Sequence, residues 1–166
     1  TFGDVSSDHW GASAIDFATS RELFAGTAEN EFSPEGQMTR AMIWSVLARY
    51  EGADIKGASG NDWYAGPQQW AIENGISDGT MANSSMTREQ LAAMLYRYVG
   101  SPAVSGTVGD YSDADSISSW ASDAMVWAVQ EGLIAGMDED TLSPQGTATR
   151  TQVAAILQRF IENKMA

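Results

Sequence analysis

The sequence predicts an all-α protein made of three helix-loop-helix repeats in a closed, pseudo-threefold arrangement. Two sets of residues recur three times along the chain, one for each helix of the repeat, and a loop with glycine and proline joins them. Fixed offsets across three copies are very unlikely by chance. We place repeat 1 at residues 1–50, repeat 2 at 61–99 and repeat 3 at 108–162, within a single module of residues 1–166.

The first helix of each repeat is marked by a tryptophan. Trp10, Trp63 and Trp120 are each followed by an aromatic residue seven places later, an alanine eight places later and a glycine sixteen places later. These spacings predict a helix with one apolar stripe. Pro67 is tolerated only in a first turn, so the helix of repeat 2 is expected to begin near it. The glycines are expected to provide the helix C-cap geometry: they are Gly26, Gly79 and Gly136.

The loop that follows differs between repeats. Repeats 1 and 3 share an apolar residue, Ser-Pro and a glycine at the same points, in FSPEG and LSPQG. Repeat 2 has lost five residues here, including the Ser-Pro turn.

The second helix of each repeat begins with Thr-Arg. Apolar residues follow three, four, six, seven and ten places after the arginine, which is helical spacing with one buried face. The threonine is expected to act as N-cap. Thr87 with Gln90 and Thr149 with Gln152 also match a capping box, whereas Met42 breaks the box of repeat 1. We therefore expect Arg40, next to this incomplete cap, to be the least rigidly held of the three arginines.

The arginine of each Thr-Arg pair is at the unfavourable end of its helix. The dipole disfavours a cation in the first turn by about 0.3 to 1 kcal/mol, so another interaction must compensate at Arg40, Arg88 and Arg150. Two interpretations remain open from the residues alone. The side chain can fold back on a carboxylate of the loop or of a neighbouring repeat, or it can join exposed first-turn amides in an anion site.

A second arginine follows nine residues later in every repeat. This set is near the helix C-terminus, where a cation complements the dipole: Arg49, Arg97 and Arg159.

Composition excludes several classes of function. The formal charge of −13 disfavours nucleic acid and anionic membranes as partners, and no apolar run is long enough to insert into a membrane. Cysteine is absent, which removes disulfides and thiolate chemistry. The start at Thr1 suggests a segment of a longer protein, within which we expect a monomeric module.

The residues do not predict an enzyme. His9 is the single histidine, and no acidic residue recurs at one aligned position in all three repeats. The run Asp138-Glu139-Asp140 is interpreted as a solvated turn, since it lacks the spacing of a calcium-binding loop. No catalytic residue, cofactor or metal is predicted.

The repeat resembles the S-layer homology repeat. Residues 2–49, which read FGDVSSDHWGASAIDFATSRELFAGTAENEFSPEGQMTRAMIWSVLAR, are similar to a pattern of Phe-x-Asp-Val, Trp-Ala, a helix, Gly, a Phe-x-Pro loop and Thr-Arg-Ala-Glu. The sequence departs at the fourth motif position, which holds Met42, Gln90 and Gln152. Repeat 2 also lacks the opening Phe-x-Asp-Val and the Phe-x-Pro loop.

The resemblance implies a cell-wall anchoring module of a bacterial surface protein, located outside the cell. It implies a three-pronged domain around a central helix bundle, with inter-repeat grooves that bind secondary cell-wall polysaccharide, often a pyruvylated N-acetylmannosamine. The Thr-Arg arginines would then meet the ligand carboxylate: Arg40, Arg88 and Arg150. The tryptophans would form groove walls, although core positions are their alternative: Trp10, Trp63 and Trp120. Close backbone approach to a sugar is a second interpretation of Gly26, Gly79 and Gly136. A protein-protein assembly module without a glycan ligand remains the other class of function.

Overall fold

The computed structural model describes residues 2–24, 29–53, 64–134 and 141–165. Over these ranges it contains six α-helices and no strand, which confirms the all-α prediction. The helices are α1 (Ala12–Ser20), α2 (Arg40–Glu51), α3 (Ala65–Glu73), α4 (Arg88–Tyr98), α5 (Ser122–Gln130) and α6 (Arg150–Met165). Two short 3-10 helices, Ala114–Ser116 and Ser119–Ala121, precede α5. Within the described ranges, each helix is too short or too polar to cross a membrane.

The N-caps of the second helices are those predicted. Thr87 and Gln90 form a complete capping box. The box of α6 is complete as well, with Thr149 and Gln152 bonded to each other's backbone N–H groups at 3.1 and 3.0 Å. At α2, the Thr39 side chain accepts from the Met42 N–H at 3.3 Å without a reciprocal bond. Local sequence therefore sets the start of all three helices.

The second helices come together at both ends. The apolar residues predicted for their stripes are buried except Tyr50 and Tyr98, which are half-buried. Near the C-terminal ends, the Tyr98 ring contacts Tyr50 and Phe160, with centroids 6.3 and 6.0 Å apart. Each of these rings belongs to a different repeat, so the stripes build a shared core.

Three backbone hydrogen bonds link the segments that precede the second helices. Met38 N–H donates to Ala148 O at 3.4 Å, Ala148 N–H to Met86 O at 3.1 Å, and Met86 N–H to Met38 O at 2.8 Å. We call this closed triangle the backbone ring. It joins the three repeats at one point.

The helices pair between repeats in cyclic order. Helix α3 packs against α2, α5 against α4 and α1 against α6. The first helix of each repeat thus lies on the second helix of the preceding repeat, and the first and last helices of the chain lie together. The pseudo-threefold, three-pronged shape itself stays a prediction.

The C-cap prediction for Gly79 is wrong. Helix α3 ends with Asn74 as C-cap, and Gly75 follows in the left-handed conformation with φ 68°. Gly79 lies further along, inside the loop, with φ 78°. The left-handed glycine that follows the helix is therefore Gly75, four residues before the predicted Gly79. Helices α1 and α5 likewise end before the predicted glycines, with Arg21 and Glu131 as C-caps, so the prediction is wrong for these repeats as well. Gly26 and Gly136 themselves lie outside the described residues, as does the acidic run Asp138-Glu139-Asp140. Pro67 lies in the first turn of α3, as expected.

Candidate functional site

The three Thr-Arg arginines lie at the junctions between repeats. Each directs its Nε–H to a loop carbonyl of the next repeat in cyclic order. The bonds are Arg40 to Thr80 O at 2.9 Å, Arg88 to Leu142 O at 2.9 Å and Arg150 to Phe32 O at 2.8 Å. These inter-repeat bonds compensate for the unfavourable helix position. They go to backbone carbonyls, whereas the first interpretation named a carboxylate, which Arg40 also meets at Asp78 Oδ1.

The first-turn amides are not exposed, contrary to the second interpretation. The N–H groups of the first two residues of each second helix donate to loop carbonyls of the neighbouring repeat. Arg40 N–H, for example, donates to Ser84 O at 3.1 Å, and Ala41 N–H to Ala82 O at 3.0 Å. The equivalent donors are Arg88, Glu89, Arg150 and Thr151. Because these donors are occupied, an anion at this site would have to bind arginine side chains instead.

A carboxylate holds each of the carbonyl-bearing residues in place. Asp4 accepts from Phe32 N–H at 2.8 Å, and Asp113 accepts from Leu142 N–H at 2.9 Å. In the shortened loop of repeat 2, Asp78 accepts from Thr80 N–H at 2.9 Å.

Asp4 and Asp113 follow an aromatic residue at the same spacing, Phe2-x-Asp4 and Tyr111-x-Asp113, whereas Asp78 comes from the loop of repeat 2. The three acids therefore share one structural role without sharing one aligned sequence position. The opening Phe-x-Asp motif was the available signal for Asp4. Bonds from the Phe32 backbone N–H keep the pKa of Asp4 below its usual value.

Arg88 and Arg150 are buried at their junctions. Their exposed fractions are 5% and 7%, and burial lowers the pKa of both guanidinium groups. The Arg150 guanidinium carbon lies 4.6 Å from the ring centroid of Phe32 and 5.6 Å from that of Phe24. These contacts make Arg150 part of the packing between repeats 3 and 1.

Arg40 has more polar surroundings. Besides Thr80 O, its Nη2 donates to Ser77 Oγ at 3.1 Å and to Asp78 Oδ1 at 3.2 Å. The side chain of Arg40 is 11% exposed and that of Asp78 is 70% exposed. The incomplete cap of α2 therefore does not leave this arginine without partners.

Arg40 and Asp78 line a groove of about 530 Å³ over α4, which we call the Arg40 groove. Its lining includes Arg97, which donates to Ile76 O at 3.3 Å, and Trp120 of repeat 3. The remaining lining residues are Gly75, Ser77, Thr80, Met81, Gln90, Ala93 and Met94. All three repeats contribute to the groove, and it combines two arginines with one carboxylate and an indole.

Of the three tryptophans that mark the first helices, the two that the structure describes are on the surface. Trp10 is 64% exposed and Trp120 is 54% exposed, so the core alternative is wrong for both. Trp63 lies outside the described residues. The sequence pattern could not predict whether these tryptophans are buried. A tryptophan at the first position of an apolar stripe can belong to the buried stripe or lie just before it.

Gly79 lies between two residues that line the Arg40 groove. It is buried, and a Cβ atom built there would lie 2.5 Å from Ile72 Cδ1. The Gly79 carbonyl accepts from Gln68 Nε2 at 2.7 Å. Here the requirement for glycine is explained by backbone conformation and close packing against α3.

The described part of the chain contains no group of three or more His, Asp or Glu residues that could hold a metal ion. His9 is half-buried, with Nε2 at 3.4 Å from Glu35 Oε1 and Nδ1 accepting from Gly11 N–H. These contacts give His9 a structural role at the start of α1.

The comparison with protein families identifies the repeats. A model of the S-layer homology domain matches residues 1–41 and 110–154. The chain belongs to the S-layer homology family. The matched ranges include the Thr-Arg pair of repeat 1 and that of repeat 3, whereas residues 42–109, which hold the shortened repeat 2, lie outside them.

The relatives include S-layer and anchoring proteins as well as enzymes. The S-layer protein sap of Bacillus anthracis is 25% identical over 96% of this chain. The cellulosome-anchoring protein of Acetivibrio thermocellus is 28% identical over 79% of it. The amylopullulanase of Thermoanaerobacterium thermosulfurigenes is 30% identical over 98% of it. Membership in the S-layer homology family, together with these relatives, indicates an extracellular, cell-surface location and supports a role in cell-wall attachment.

The S-layer homology chain spans only part of each relative: 10% of the amylopullulanase, 21% of the S-layer protein and 33% of the cellulosome-anchoring protein. A segment that is shared by an enzyme, an S-layer protein and an anchoring protein is expected for an attachment module that occurs in several kinds of protein.

Proposed function

We propose that this chain anchors its parent protein noncovalently to the cell wall, by binding an anionic secondary cell-wall polysaccharide in the grooves at the repeat junctions. The proposed ligand is a sugar that carries a carboxylate, such as a ketal-linked pyruvate on N-acetylmannosamine. The module itself has no catalytic role in this proposal. The Thr-Arg arginines, the surface tryptophans and the loop glycines are the proposed ligand-binding set.

The Arg40 groove is the observation that carries the proposal. Its lining includes Arg40, Arg97 and Asp78, which sum to one positive charge in a chain with a formal charge of −13. Trp120 adds an exposed aromatic face, which suits the apolar face of a sugar ring. An anionic sugar would therefore meet local attraction at this groove on an otherwise repulsive surface.

Sedimentation with purified cell-wall sacculi tests the proposal. We expect the 166-residue chain to sediment with untreated sacculi. Sacculi stripped of secondary polymer should not retain it, and sacculi from which only the pyruvate ketals are removed should retain much less. Full retention on polymer-free sacculi would overturn the proposal and favour a protein or peptidoglycan partner.

The arginine variants that test binding are chosen by burial, because the three arginines are not equally exposed. Alanine at Arg88 or Arg150 would disturb packing between repeats, so a loss of binding there could reflect unfolding. Arg40→Gln and Trp120→Ala change the more exposed groove, and we expect each to weaken retention about tenfold, the effect of losing about 1.4 kcal/mol. Arg21→Ala is the matched control, since Arg21 stacks on Phe17 at 3.8 Å, away from the groove lining. Equal retention of Arg40→Gln, Trp120→Ala and the control would exclude the Arg40 groove as a wall-binding site.

A further inference from the structure

The pairing of Arg40 with Asp78 changes what the Arg40 groove can recognise. Asp78 occupies the sequence position directly before Gly79, and the corresponding positions of repeats 1 and 3 hold Ala25 and Ala135. The shortened repeat thus has an acid at a sequence position where the other two repeats have alanine.

The Arg40–Asp78 pair leaves one donor group and one acceptor atom unused by the protein. Within the described residues, Arg40 donates through Nε and Nη2, while no bond from Nη1 is present. The Oδ1 atom of Asp78 accepts from Arg40 Nη2, from Thr80 N–H at 2.9 Å and from Thr80 Oγ1 at 2.7 Å. Its Oδ2 atom accepts from none of the described residues. The pair therefore offers a ligand two N–H donors and a carboxylate oxygen, on two residues that line the same groove.

A sugar hydroxyl can use both halves of this pair. A hydroxyl group donates one hydrogen bond and accepts others, so adjacent ring hydroxyls can donate to Asp78 Oδ2 and accept from Arg40 Nη1. Bonds to ionised groups are about twice as strong as neutral ones. A bare carboxylate can use only the arginine, because it has no hydrogen to offer and Asp78 repels it.

We infer that Asp78 is a specificity-determining residue of the Arg40 groove, where it selects a sugar that presents hydroxyl donors over a bare carboxylate ion. The inference rests on the proposed function. It narrows the ligand of this groove to a sugar ring that has a free hydroxyl group next to the anionic or carbonyl group that accepts from Arg40. Trp120 supplies the stacking face and Arg97 a second cation. Asp78 remains ionised at neutral pH, since hydrogen bonds from the Thr80 side chain and backbone keep its pKa below the usual value.

Two simple probes separate these contributions in NMR titrations of the whole chain. Methyl N-acetylmannosaminide is uncharged and rich in hydroxyls, and sodium pyruvate is a bare carboxylate. The indole N–H signal of Trp120 and the Nε–H signal of Arg40 report binding in this groove. We expect the wild-type chain to bind the glycoside and to bind pyruvate more weakly.

Asp78→Asn should change the two affinities in opposite directions. Its amide keeps a carbonyl acceptor for Thr80 N–H but removes the negative charge. We expect glycoside affinity to fall about fivefold to tenfold through loss of a charge-assisted bond, and pyruvate affinity to rise severalfold through loss of repulsion. Asp16→Asn, at an exposed position of α1, is the charge-matched control and should change neither affinity.

Trp120→Ala provides a second variant, and we expect it to leave the packing of the core unchanged because the indole is exposed. It should weaken the glycoside and leave pyruvate unchanged, read from the Arg40 signal. An unchanged ratio of the two affinities in Asp78→Asn would overturn the inference. If that result came with polymer-dependent sedimentation on sacculi, the proposed function would stand without it. Loss of polymer-dependent sedimentation would instead reject the proposed function.

Discussion

Arg40 and Arg150 hold the same position in their repeats, but their surroundings are different. Arg150 is buried against the rings of Phe24 and Phe32. Arg40 meets Ser77 and Asp78, beside an open groove. Both donate Nε–H to a carbonyl of the next repeat, which is the shared structural function. One motif thus makes a packing residue at one junction and a candidate ligand-binding residue at another, depending on the loop it meets.

The largest expected effect is a difference in stability between alanine variants of these two arginines. Arg150→Ala should lower the free energy of unfolding by about 3 kcal/mol, because it leaves a buried carbonyl unpaired and removes the cation–π contacts. Arg40→Ala should cost about 1 kcal/mol, since water from the groove can reach Thr80 O. Urea unfolding followed by circular dichroism measures both. Equal losses would contradict the distinction between the junctions.

The loops of the two junctions also differ in their need for glycine. Gly79 of the Arg40 junction has φ 78° and no room for a Cβ atom beside Ile72. Gly36 of the Arg150 junction would place a Cβ atom 3.1 Å from Ser33 O, without a left-handed φ. We expect Gly79→Ala to cost about 2 kcal/mol and Gly36→Ala less than about 1 kcal/mol. A larger loss for Gly36→Ala in the same unfolding assay would reverse our ranking.

The helix caps at the two junctions can be made alike. Met42→Gln would complete the capping box that Gln152 already provides at α6, and we expect a gain of about 0.5 kcal/mol. Met42→Ala serves as the control, because it removes the same side chain without supplying an acceptor. A gain with alanine as large as with glutamine would show that the cap is not the cause.

The smallest expected effect is a pH dependence that both junctions share. The folded-state pKa values of Asp4 and Asp78 lie below the usual 3.8. Each carboxylate therefore contributes stability that is complete above that value and disappears as the pH falls through the lower folded-state pKa. The urea midpoint should decrease between about pH 5 and about pH 3, and by less in Asp4→Asn or Asp78→Asn than in wild type. A decrease of the same size in both variants would exclude these two groups as its source.

Local patterns predicted most of the second helices. The Thr caps, the glutamines of two capping boxes and the buried stripes depend on neighbours within one or two turns, and the structure confirms them. The first helices were found, but their C-terminal ends were placed too late, because Gly79 forms a turn inside the loop and not at the helix end.

The contacts between repeats could not be read from local patterns. Asp4 bonds to Phe32, 28 residues away, and Arg150 reaches a carbonyl 118 residues away. Asp78 takes the role of Asp4 from a different position in the sequence, so no alignment of the repeats reveals it. The exposure of Trp10 and Trp120 also depends on which helix packs beside them.

The backbone ring has a mechanical consequence for a protein that holds a load. Each repeat contributes one donor and one acceptor to the ring, and α6 lies against α1. A linear stack of repeats can peel apart one unit at a time, since each unit contacts only its neighbours. In the closed ring each repeat is bonded to both of the others, so we expect a force that pulls on one repeat to act on two contacts between repeats at once. If the module anchors its parent protein as proposed, this closure would oppose stepwise separation of the repeats.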